Sequence, residues 1–158
     1  MYIFREITPA DDEAIAKIVR DNLKEKHLDI PGTAYFDSVL NHLSDYYLTT
    51  PQSYYCILTE DDIVIGGVGL SAFDGMPDCA EMQKLYLTES VKGRGLGKEL
   101  ILHIENKARE MGFKNMYLET HTNLDIAISL YEKVGFEQID RPECVVHSTM
   151  DRFYKKKL

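Results

Sequence analysis

Residues 85–100 read Leu-Tyr-Leu-Thr-Glu-Ser-Val-Lys-Gly-Arg-Gly-Leu-Gly-Lys-Glu-Leu, and this stretch carries the strongest structural signals in the chain. Its apolar start predicts the end of a strand, and the alternating glycines predict a loop that opens directly into an amphipathic helix. Glycine lets the backbone approach a ligand closely, and the first turn of a helix offers unpaired N–H groups at its positive end. Because Lys92, Arg94 and Lys98 make the loop basic, the stretch predicts a cradle for a pyrophosphate group.

Two common diphosphate-binding motifs do not fit this loop. Counted from Gly93, the third glycine of a dinucleotide fingerprint would fall on Lys98. Counted from Gly95, it would fall on Leu100. A P-loop requires Ser or Thr after its Gly-Lys pair, where this chain has Glu99. A glycine turn without a ligand and a site for another diphosphate nucleotide remain as alternatives.

The composition is that of a globular protein with an acidic balance. The chain has 158 residues, with 18 Lys and Arg against 26 Asp and Glu and a formal net charge of −8. This length and the 44% hydrophobic content predict one domain over residues 1–158. The negative charge disfavours nucleic acid or an anionic membrane as the main partner and favours a cationic ligand.

Targeting signals and metal motifs are not expected. The longest apolar run, residues 63–70, is too short to span a bilayer, and the N-terminus has no signal-peptide pattern. Three widely spaced cysteines predict buried, unpaired thiols in a reducing cytoplasm: Cys56, Cys79 and Cys144. Five histidines show no metal-ligand spacing, so no metal site is predicted: His27, His42, His103, His121 and His147.

Outward from the glycine loop, hydrophobic periodicity predicts a mixed α/β chain. The predicted order is β-α-α-β-β-β-α-β-α-β-β, with a largely antiparallel front and one strand–helix–strand crossover. Six of these seven strands are assigned ranges: residues 2–7, 54–58, 63–70, 80–88, 114–119 and 144–154. The predicted helices are residues 9–26 with Thr8 as N-cap, 36–47, 95–111 closed by Gly112, and 124–134.

Three features resemble the GNAT superfamily of acyl-CoA-dependent N-acyltransferases. Residues 92–97, Lys-Gly-Arg-Gly-Leu-Gly, are similar to its Q/R-x-x-G-x-G/A signature. Residues 80–82 precede residues 85–87 in the expected order, and residues 130–136 resemble its L-Y-x-x-x-G-F segment. The resemblance implies acetyl-CoA as co-substrate. It also implies the family fold, a mostly antiparallel sheet of six to seven strands with about four flanking helices and strands that splay at the cofactor site.

By this resemblance, two parts of the chain hold the cofactor. Backbone groups of Leu85, Tyr86 and Leu87 would pair with the pantetheine arm like a substitute strand, with the acetyl carbonyl polarised by backbone N–H near Leu87. The glycine loop would hold the pyrophosphate through Lys92, Gly93, Arg94, Gly95, Leu96, Gly97 and Lys98. Many relatives carry Asn seven residues before the catalytic tyrosine, where this chain has Leu124. The preceding Asn123 is the implied cofactor ligand, with an N-cap role as its alternative.

The resemblance also implies an acid and a base. Tyr131 would be the general acid that protonates the departing coenzyme A thiolate, with core packing as the alternative. Glu81 would be the general base, because an ammonium group must lose a proton before it attacks a thioester. Period-two alternation places Glu81 on the same face as Leu85 and Leu87. Glu119, at the end of the next strand, is the rival, and either carboxylate could simply be solvated.

The implied activity is transfer of an acetyl group from acetyl-CoA to a primary amine on a small molecule or a protein. An acyl-CoA-binding sensor or interaction domain on the same fold is the alternative, because a fold does not fix a function. In this family the first-helix region walls the acceptor site, and residues 27–51 carry aromatic and acidic side chains that suit a cationic amine. His121 is a further candidate for the acceptor side. The acceptor and a homodimeric state are left open.

Overall fold

The computed structural model describes residues 1–146 and 148–158, so His147, one of the histidines considered above, lies outside the described residues. Within these residues the chain forms seven strands and four α-helices. The strands are β1 (Tyr2–Glu6), β2 (Tyr54–Glu60), β3 (Ile63–Ala72), β4 (Cys79–Leu87), β5 (Asn115–Thr120), β6 (Glu137–Ile139) and β7 (Arg152–Lys157). The helices are α1 (Asp12–Glu25), α2 (Leu43–Thr49), α3 (Leu96–Glu110) and α4 (Asp125–Lys133).

The strands form one sheet in the order β1-β2-β3-β4-β5-β7-β6. Neighbouring strands run antiparallel except β4 and β5, which are parallel and are joined through α3. The expected fold, a mostly antiparallel sheet of six to seven strands flanked by about four helices, is therefore confirmed. In the described ranges no helix combines the length and the apolar composition needed to cross a bilayer.

Each face of the sheet carries its own hydrophobic core. On the rear face, α3 and α4 cover the sheet, and Leu100 and Ile104 of α3 pack in one cluster with Leu118 of β5. On the front face, α1 and α2 cover the sheet, and Ile15 packs in one cluster with Tyr55 of β2. Each fully buried aliphatic side chain stabilises the fold by roughly 1.5–3 kcal/mol. Because different helices cover the two faces, any gap between neighbouring strands would open towards both of these cores.

The first helix starts as the sequence predicts, with a tighter first turn. Thr8 is the N-cap of a 3-10 segment, Pro9–Asp11, and α1 begins directly after it. The Asp11 carboxylate accepts hydrogen bonds from the Thr8 backbone N–H at 2.8 Å and from its hydroxyl at 3.0 Å. At the far end of α3, Gly112 has a φ of 93° and closes the helix as expected.

The predicted helix over residues 36–47 is wrong in its bounds. A 3-10 segment, Ser38–His42, comes first, and α2 then runs from Leu43 to Thr49. His42 interrupts the two with a non-helical φ of −137°. The Asp12 carboxylate accepts hydrogen bonds from the Ser44 backbone N–H at 2.8 Å and from its hydroxyl at 2.7 Å, so a contact from α1 holds the restarted helix.

The last predicted strand is also wrong in its start, because β7 begins at Arg152 and not at residue 144. Its partner β5 has six residues, and the pairing ends where Thr120 meets Arg152. Asp151 instead binds the loop after β5, accepting from the Thr122 N–H and hydroxyl at 2.9 Å each. Cys144 lies in the segment before β7 and is exposed, so its expected burial is wrong, whereas Cys56 and Cys79 are buried.

Candidate active site

The strands β4 and β5 separate part of the way along the sheet. They pair over three positions, Cys79–Asn115, Ala80–Met116 and Glu81–Tyr117. Beyond Glu81, β4 has no pairing with β5 among the described residues, although its pairing with β3 continues as far as Leu87. The gap is a cleft of about 1090 Å³ that is lined from both faces of the sheet. The expected splaying of the strands is confirmed.

A bulge in β4 decides which side chains enter the cleft. Gly69 of β3 pairs with Gln83, and Gly67 pairs with Tyr86, so β4 carries one more residue than β3 between these two pairs. Lys84 lies at this bulge with a φ of 50°, in the left-handed region that favours glycine. Such a bulge twists the strand and redirects its side chains.

The bulge reverses the expected orientation of Glu81. Met82 before the bulge packs in the rear cluster, and so do Leu85 and Leu87 after it. Glu81 therefore lies on the front face, where its Oε1 accepts a hydrogen bond from Gln83 Nε2 at 3.0 Å. The prediction that Glu81 shares a face with Leu85 and Leu87 is wrong, because the extra residue shifts the alternation by one.

The front side of the cleft holds both candidate bases. Glu81 and Glu119 line it, and each is half-buried. Glu119 accepts two hydrogen bonds, from the Tyr117 hydroxyl at 2.8 Å and from the Ser148 hydroxyl at 3.2 Å. Glu81 accepts one, from Gln83, within the part of the chain that the structure describes. The two carboxylates thus share a chamber but differ in how many donors hold them.

Burial raises the pKa of Glu81 to about 7. The hydrogen bond from Gln83 opposes this rise, the negative charge of Glu119 adds to it, and the positive charge of Lys84 opposes it. Burial also lowers the pKa of Lys84, against the effect of the Asp37 and Glu81 carboxylates. A carboxyl group whose pKa lies near neutrality is well matched to general-base work at that pH.

The glycine loop presents a row of unpaired amides to the cleft. Gly93 and Gly95 have φ values of 82° and 79°, and Gly95 is the N-cap residue of α3. Among the described residues, the backbone N–H groups of residues 93–98 donate no hydrogen bond, and Glu99 is the first to donate, to the Gly95 carbonyl at 3.2 Å. A Cβ atom on Gly93 or Gly95 would meet nothing within 4 Å. Open space beside free amides fits a diphosphate group.

The basic side chains of the loop point in different directions. Lys92 and Lys98 line the cleft. Arg94 turns away from it, and its Nη1 lies 3.4 Å from Glu60 Oε1 and 3.3 Å from the Tyr2 hydroxyl. The Arg94 side chain is therefore not available for the predicted cofactor contact. Its backbone N–H, which has no acceptor among the described residues, remains available.

The remaining predicted cofactor residues lie along the cleft walls. Its lining includes Leu85, Tyr86 and Leu87 from β4 and Leu96 and Gly97 from α3. The Leu87 carbonyl is already occupied, because Asn22 Nδ2 of α1 donates to it at 2.9 Å. A Cβ atom on Gly97 would lie 2.9 Å from Leu130, so glycine here allows α3 to pack closely against α4.

Tyr131 forms part of the rear wall. Its side chain is 7% exposed, and its ring centroid lies 6.1 Å from that of Phe136 and 6.5 Å from that of Tyr154. Its hydroxyl makes no hydrogen bond to any described residue, and the residue borders the cleft. Burial, with a smaller effect of the Tyr86 phenol, raises the pKa of Tyr131, so the phenol keeps its proton at neutral pH.

Asn123 and His121 lie outside the cleft lining. Asn123 Nδ2 donates to the Lys26 carbonyl at 2.9 Å, which ties the loop after β5 to the end of α1. The N-cap of α4 is Leu124, so the N-cap alternative for Asn123 is wrong. His121 Nδ1 accepts from the Asn123 N–H at 3.0 Å, and the expectation that His121 lines the acceptor side is not met.

Three residues of the front chamber escaped the sequence analysis: Gln83, Lys84 and Ser148. Gln83 carried a usable signal, since it follows Glu81 by two residues and a strand places such residues on one face. Lys84 enters through the bulge and Ser148 through an irregular loop, and neither has a sequence signature. In residues 1–146 and 148–158, no group of three or more His, Cys, Asp or Glu side chains could hold a metal ion.

Comparison with known proteins identifies the family. A model of the acetyltransferase (GNAT) family matches residues 14–136. The chain is 39% identical over 140 residues to the uncharacterized N-acetyltransferase YjgM of Escherichia coli K12. The alignment covers 87% of this chain and 83% of that protein. The chain therefore belongs to the GNAT family, whose members are acyl-CoA-dependent N-acetyltransferases.

Solved structures share the fold over the whole chain. An acetyltransferase of the GNAT family from Staphylococcus aureus Mu50 matches with a TM-score of 0.87 and 18% identity, covering 100% of this chain and 99% of that one. The PaiA N-acetyltransferase of Thermoplasma acidophilum, in complex with coenzyme A, matches with a TM-score of 0.79 and 21% identity over 100% and 99% of the two chains.

Proposed function

We propose that this protein transfers an acetyl group from acetyl-CoA to a primary amine, with Glu81 as general base and Tyr131 as general acid. The observation that carries the proposal is the split between β4 and β5 directly after Glu81. The resulting gap connects the front side of the cleft, which Glu81 and Glu119 line, with its rear side, where Tyr131 lies. The front side is the front chamber described above. The acetyl donor and the amine acceptor could therefore reach the gap from opposite sides of the sheet.

Acetyl-CoA would supply the acetyl group as an activated thioester. The free amides of residues 93–98 would hold its diphosphate, since charge-assisted hydrogen bonds contribute roughly 1.5–3 kcal/mol each. Lys92 and Lys98 would add positive charge beside them. The unpaired edge of β4 at residues 85–87 would pair with the pantetheine arm, apart from the occupied Leu87 carbonyl. PaiA, which shares the fold, was solved in complex with coenzyme A, and this supports coenzyme A as the ligand of the cleft.

In the proposed reaction the acceptor enters the front side of the cleft as an ammonium ion, and Glu81 takes one proton from its nitrogen. The neutral amine then attacks the thioester carbonyl carbon, so that a C–N bond forms and the C–S bond breaks. Tyr131 gives its proton to the departing sulfur, and the second proton of the nitrogen passes to solvent as the amide forms. A base is needed because an amine of pKa about 10.4 lies roughly 3.4 units above neutral pH, a deficit of about 4.6 kcal/mol.

Glu81 suits the role of base better than Glu119 does. Both carboxylate oxygens of Glu119 already accept hydrogen bonds, from the Tyr117 and Ser148 hydroxyls, so neither oxygen can take a proton from the amine without giving up a donor. Glu81 keeps Oε2 without a donor in the described part of the chain, and burial raises its pKa to about 7.

The proposed acceptor is a cationic amine. Three carboxylates line the front side, from Asp37, Glu81 and Glu119, and they outnumber the ammonium group of Lys84. Phe36, 62% exposed, also lines the cleft and offers an aromatic face to a cation. The net charge of −8 adds a long-range attraction. One catalytic domain over residues 1–158 and a cytoplasmic location, which suits the unpaired cysteines, belong to the same proposal.

An acceptor panel tests the proposal, with free thiol release from acetyl-CoA as the readout. The panel holds polyamines, aminoglycosides, amino acids, and peptides with a free N-terminus or a lysine side chain. Turnover with any of these amines supports the proposal and rules out the sensor alternative. Coenzyme A binding without thiol release across the whole panel contradicts it. Competition of coenzyme A with ATP or NAD in a thermal-shift assay shows whether another diphosphate occupies the loop.

A further inference from the structure

We propose that Gln83, held by Tyr47, is a positioning residue that fixes the carboxylate of Glu81 for proton abstraction. The inference rests on the proposed role of Glu81 as the base. Gln83 need not touch the amine or the thioester, and it acts through the orientation and the proton affinity of its neighbour.

Two hydrogen bonds in series define the arrangement. The Tyr47 hydroxyl donates to Gln83 Oε1 at 2.6 Å, and Gln83 Nε2 donates to Glu81 Oε1 at 3.0 Å. An ionised carboxylate can only accept, so the NH₂ end of the Gln83 amide must face Glu81. The Tyr47 hydroxyl satisfies Gln83 Oε1 in this orientation, whereas rotation of the amide by 180° would turn that oxygen towards the Glu81 carboxylate, which has no proton to donate when ionised.

The fold places Tyr47 for this contact through a glycine. Tyr47 is 2% exposed, and its ring lies 4.9 Å from that of Tyr46 and 5.0 Å from that of Tyr55. Gly69 pairs with Gln83 across the sheet, and a Cβ atom on Gly69 would come within 2.7 Å of the Tyr47 hydroxyl oxygen. The hydroxyl therefore reaches Gln83 through the space that Gly69 leaves open.

The bulge next to Gln83 is fastened by a second buried tyrosine. The Tyr55 hydroxyl donates to the Lys84 carbonyl at 2.8 Å, directly after Gln83 in the strand. A Cβ atom on Gly67 would lie 2.5 Å from Tyr55 Cε1, so a second glycine admits this ring. Tyr47 thus holds the Gln83 side chain and Tyr55 holds the backbone next to it. The missing side chains of two glycines in β3 make room for both rings.

The consequence for catalysis is that the Glu81 carboxylate has a fixed orientation. With Oε1 held by Gln83, Oε2 is left for the proton of the incoming ammonium group. The Gln83 bond also favours the ionised form and limits the rise that burial imposes on the pKa of Glu81. The charged and titratable groups around this carboxyl are Cys79 and Lys84 on β4, Tyr117 and Glu119 on β5, Tyr47 on α2, and Asp37 before it, facing Lys84.

The test uses Gln83→Met, which keeps the length of the side chain, and Tyr47→Phe, which keeps the ring and leaves Gln83 in place. Tyr46→Phe is the matched control, since it removes the hydroxyl of the ring that packs on Tyr47, and this hydroxyl makes no hydrogen bond to Gln83 in the described part of the chain. The titration of Glu81 is followed by ¹³C NMR of its side-chain carboxyl in the free protein, with Glu81→Gln identifying the signal. Coenzyme A affinity, from calorimetry, reports whether each variant is folded.

The midpoint of the Glu81 titration is expected to rise by about one pH unit in Gln83→Met, by less in Tyr47→Phe, and not at all in Tyr46→Phe. The acidic limb of kcat/KM, measured on an amine from the panel, should move by the same amount and activity should recover at high pH. Unchanged midpoints, or a loss of activity that is equal at every pH, would overturn the inference. If the acidic limb keeps its wild-type midpoint in Glu81→Gln itself, the proposed base is wrong. A midpoint that shifts in Glu81→Gln but stays unchanged in Gln83→Met overturns only the present inference.

Discussion

Glu81 and Tyr131 line one cleft from opposite faces of the central sheet. Glu81 belongs to the last pair that joins β4 to β5, and its side chain faces the front, whereas Tyr131 packs in the rear cluster. The strands separate directly after this pair. A group in the gap therefore has a carboxyl on one side and a protonated phenol on the other. In the proposed direct transfer, Glu81 takes a proton from the amine and Tyr131 gives one to the sulfur, so the two groups would act from opposite sides of the gap.

Replacing Gly95 by Asp should weaken coenzyme A binding by roughly 10- to 100-fold, because a carboxylate would lie beside the diphosphate at the start of α3. Space is not the cause, since a Cβ atom at Gly95 meets nothing within 4 Å. Calorimetry with coenzyme A measures the effect. Gly95→Asn is the control that keeps the shape and the left-handed backbone without the charge. Equal affinities for the Asp and Asn variants would show that the diphosphate lies elsewhere.

Replacing Tyr131 by Phe should lower kcat by roughly 10²-fold and leave coenzyme A affinity nearly unchanged. The hydroxyl makes no hydrogen bond to the described residues, so urea unfolding should change by less than about 1 kcal/mol. Tyr154→Phe is the control in the same cluster, since its hydroxyl donates to Glu132 at 3.3 Å. A wild-type kcat in Tyr131→Phe, with single-turnover rates also unchanged, would remove Tyr131 as the acid.

Glu81 should also make folding stability fall as the pH rises. Its pKa is about 7 in the folded protein and near 4.5 without burial, so between these values the native state binds more protons than the unfolded state. The raised pKa of Glu81 therefore lowers the free energy of unfolding by on the order of 3 kcal/mol at pH 8, and this penalty is almost absent at pH 4. In urea unfolding, the free energy of unfolding of Glu81→Gln relative to wild type should increase as the pH rises from 4 to 8. Glu13→Gln, at an exposed site on α1, should show no such increase. Parallel pH curves for wild type and Glu81→Gln would show that the pKa is not raised.

Local patterns predicted the parts of the fold that local chemistry controls. Gly112 ends α3 with a left-handed backbone as the sequence predicts, and Thr8 is the N-cap of the 3-10 segment that leads into α1, whose own N-cap is Asp11. The bounds of α2 and β7 were not predictable in this way. One depends on the Asp12 carboxylate of a different helix, and the other on the length of β5. Contacts between distant residues decide both.

The candidate site shows the same division. The glycine loop and Tyr131 belong to continuous motifs, and the structure brings both to the cleft. The face of Glu81 was predicted wrongly, because the bulge at Lys84 adds a residue and a lysine with a positive φ has no sequence signature. Gln83 depends on the same geometry, since its contact with Tyr47 joins segments that lie 36 residues apart.

The pH dependence of kcat/KM in Glu81→Gln, with Glu119→Gln measured on the same amine, tests the proposed mechanism most directly. Glu81→Gln should lose roughly 10²-fold near pH 7 and recover as the pH approaches the pKa of the amine, since solvent then supplies the neutral nucleophile. Glu119→Gln should keep the acidic limb of wild type with a smaller loss. A Glu81→Gln profile that follows wild type, while Glu119→Gln loses its acidic limb, would contradict the account and assign the base to Glu119.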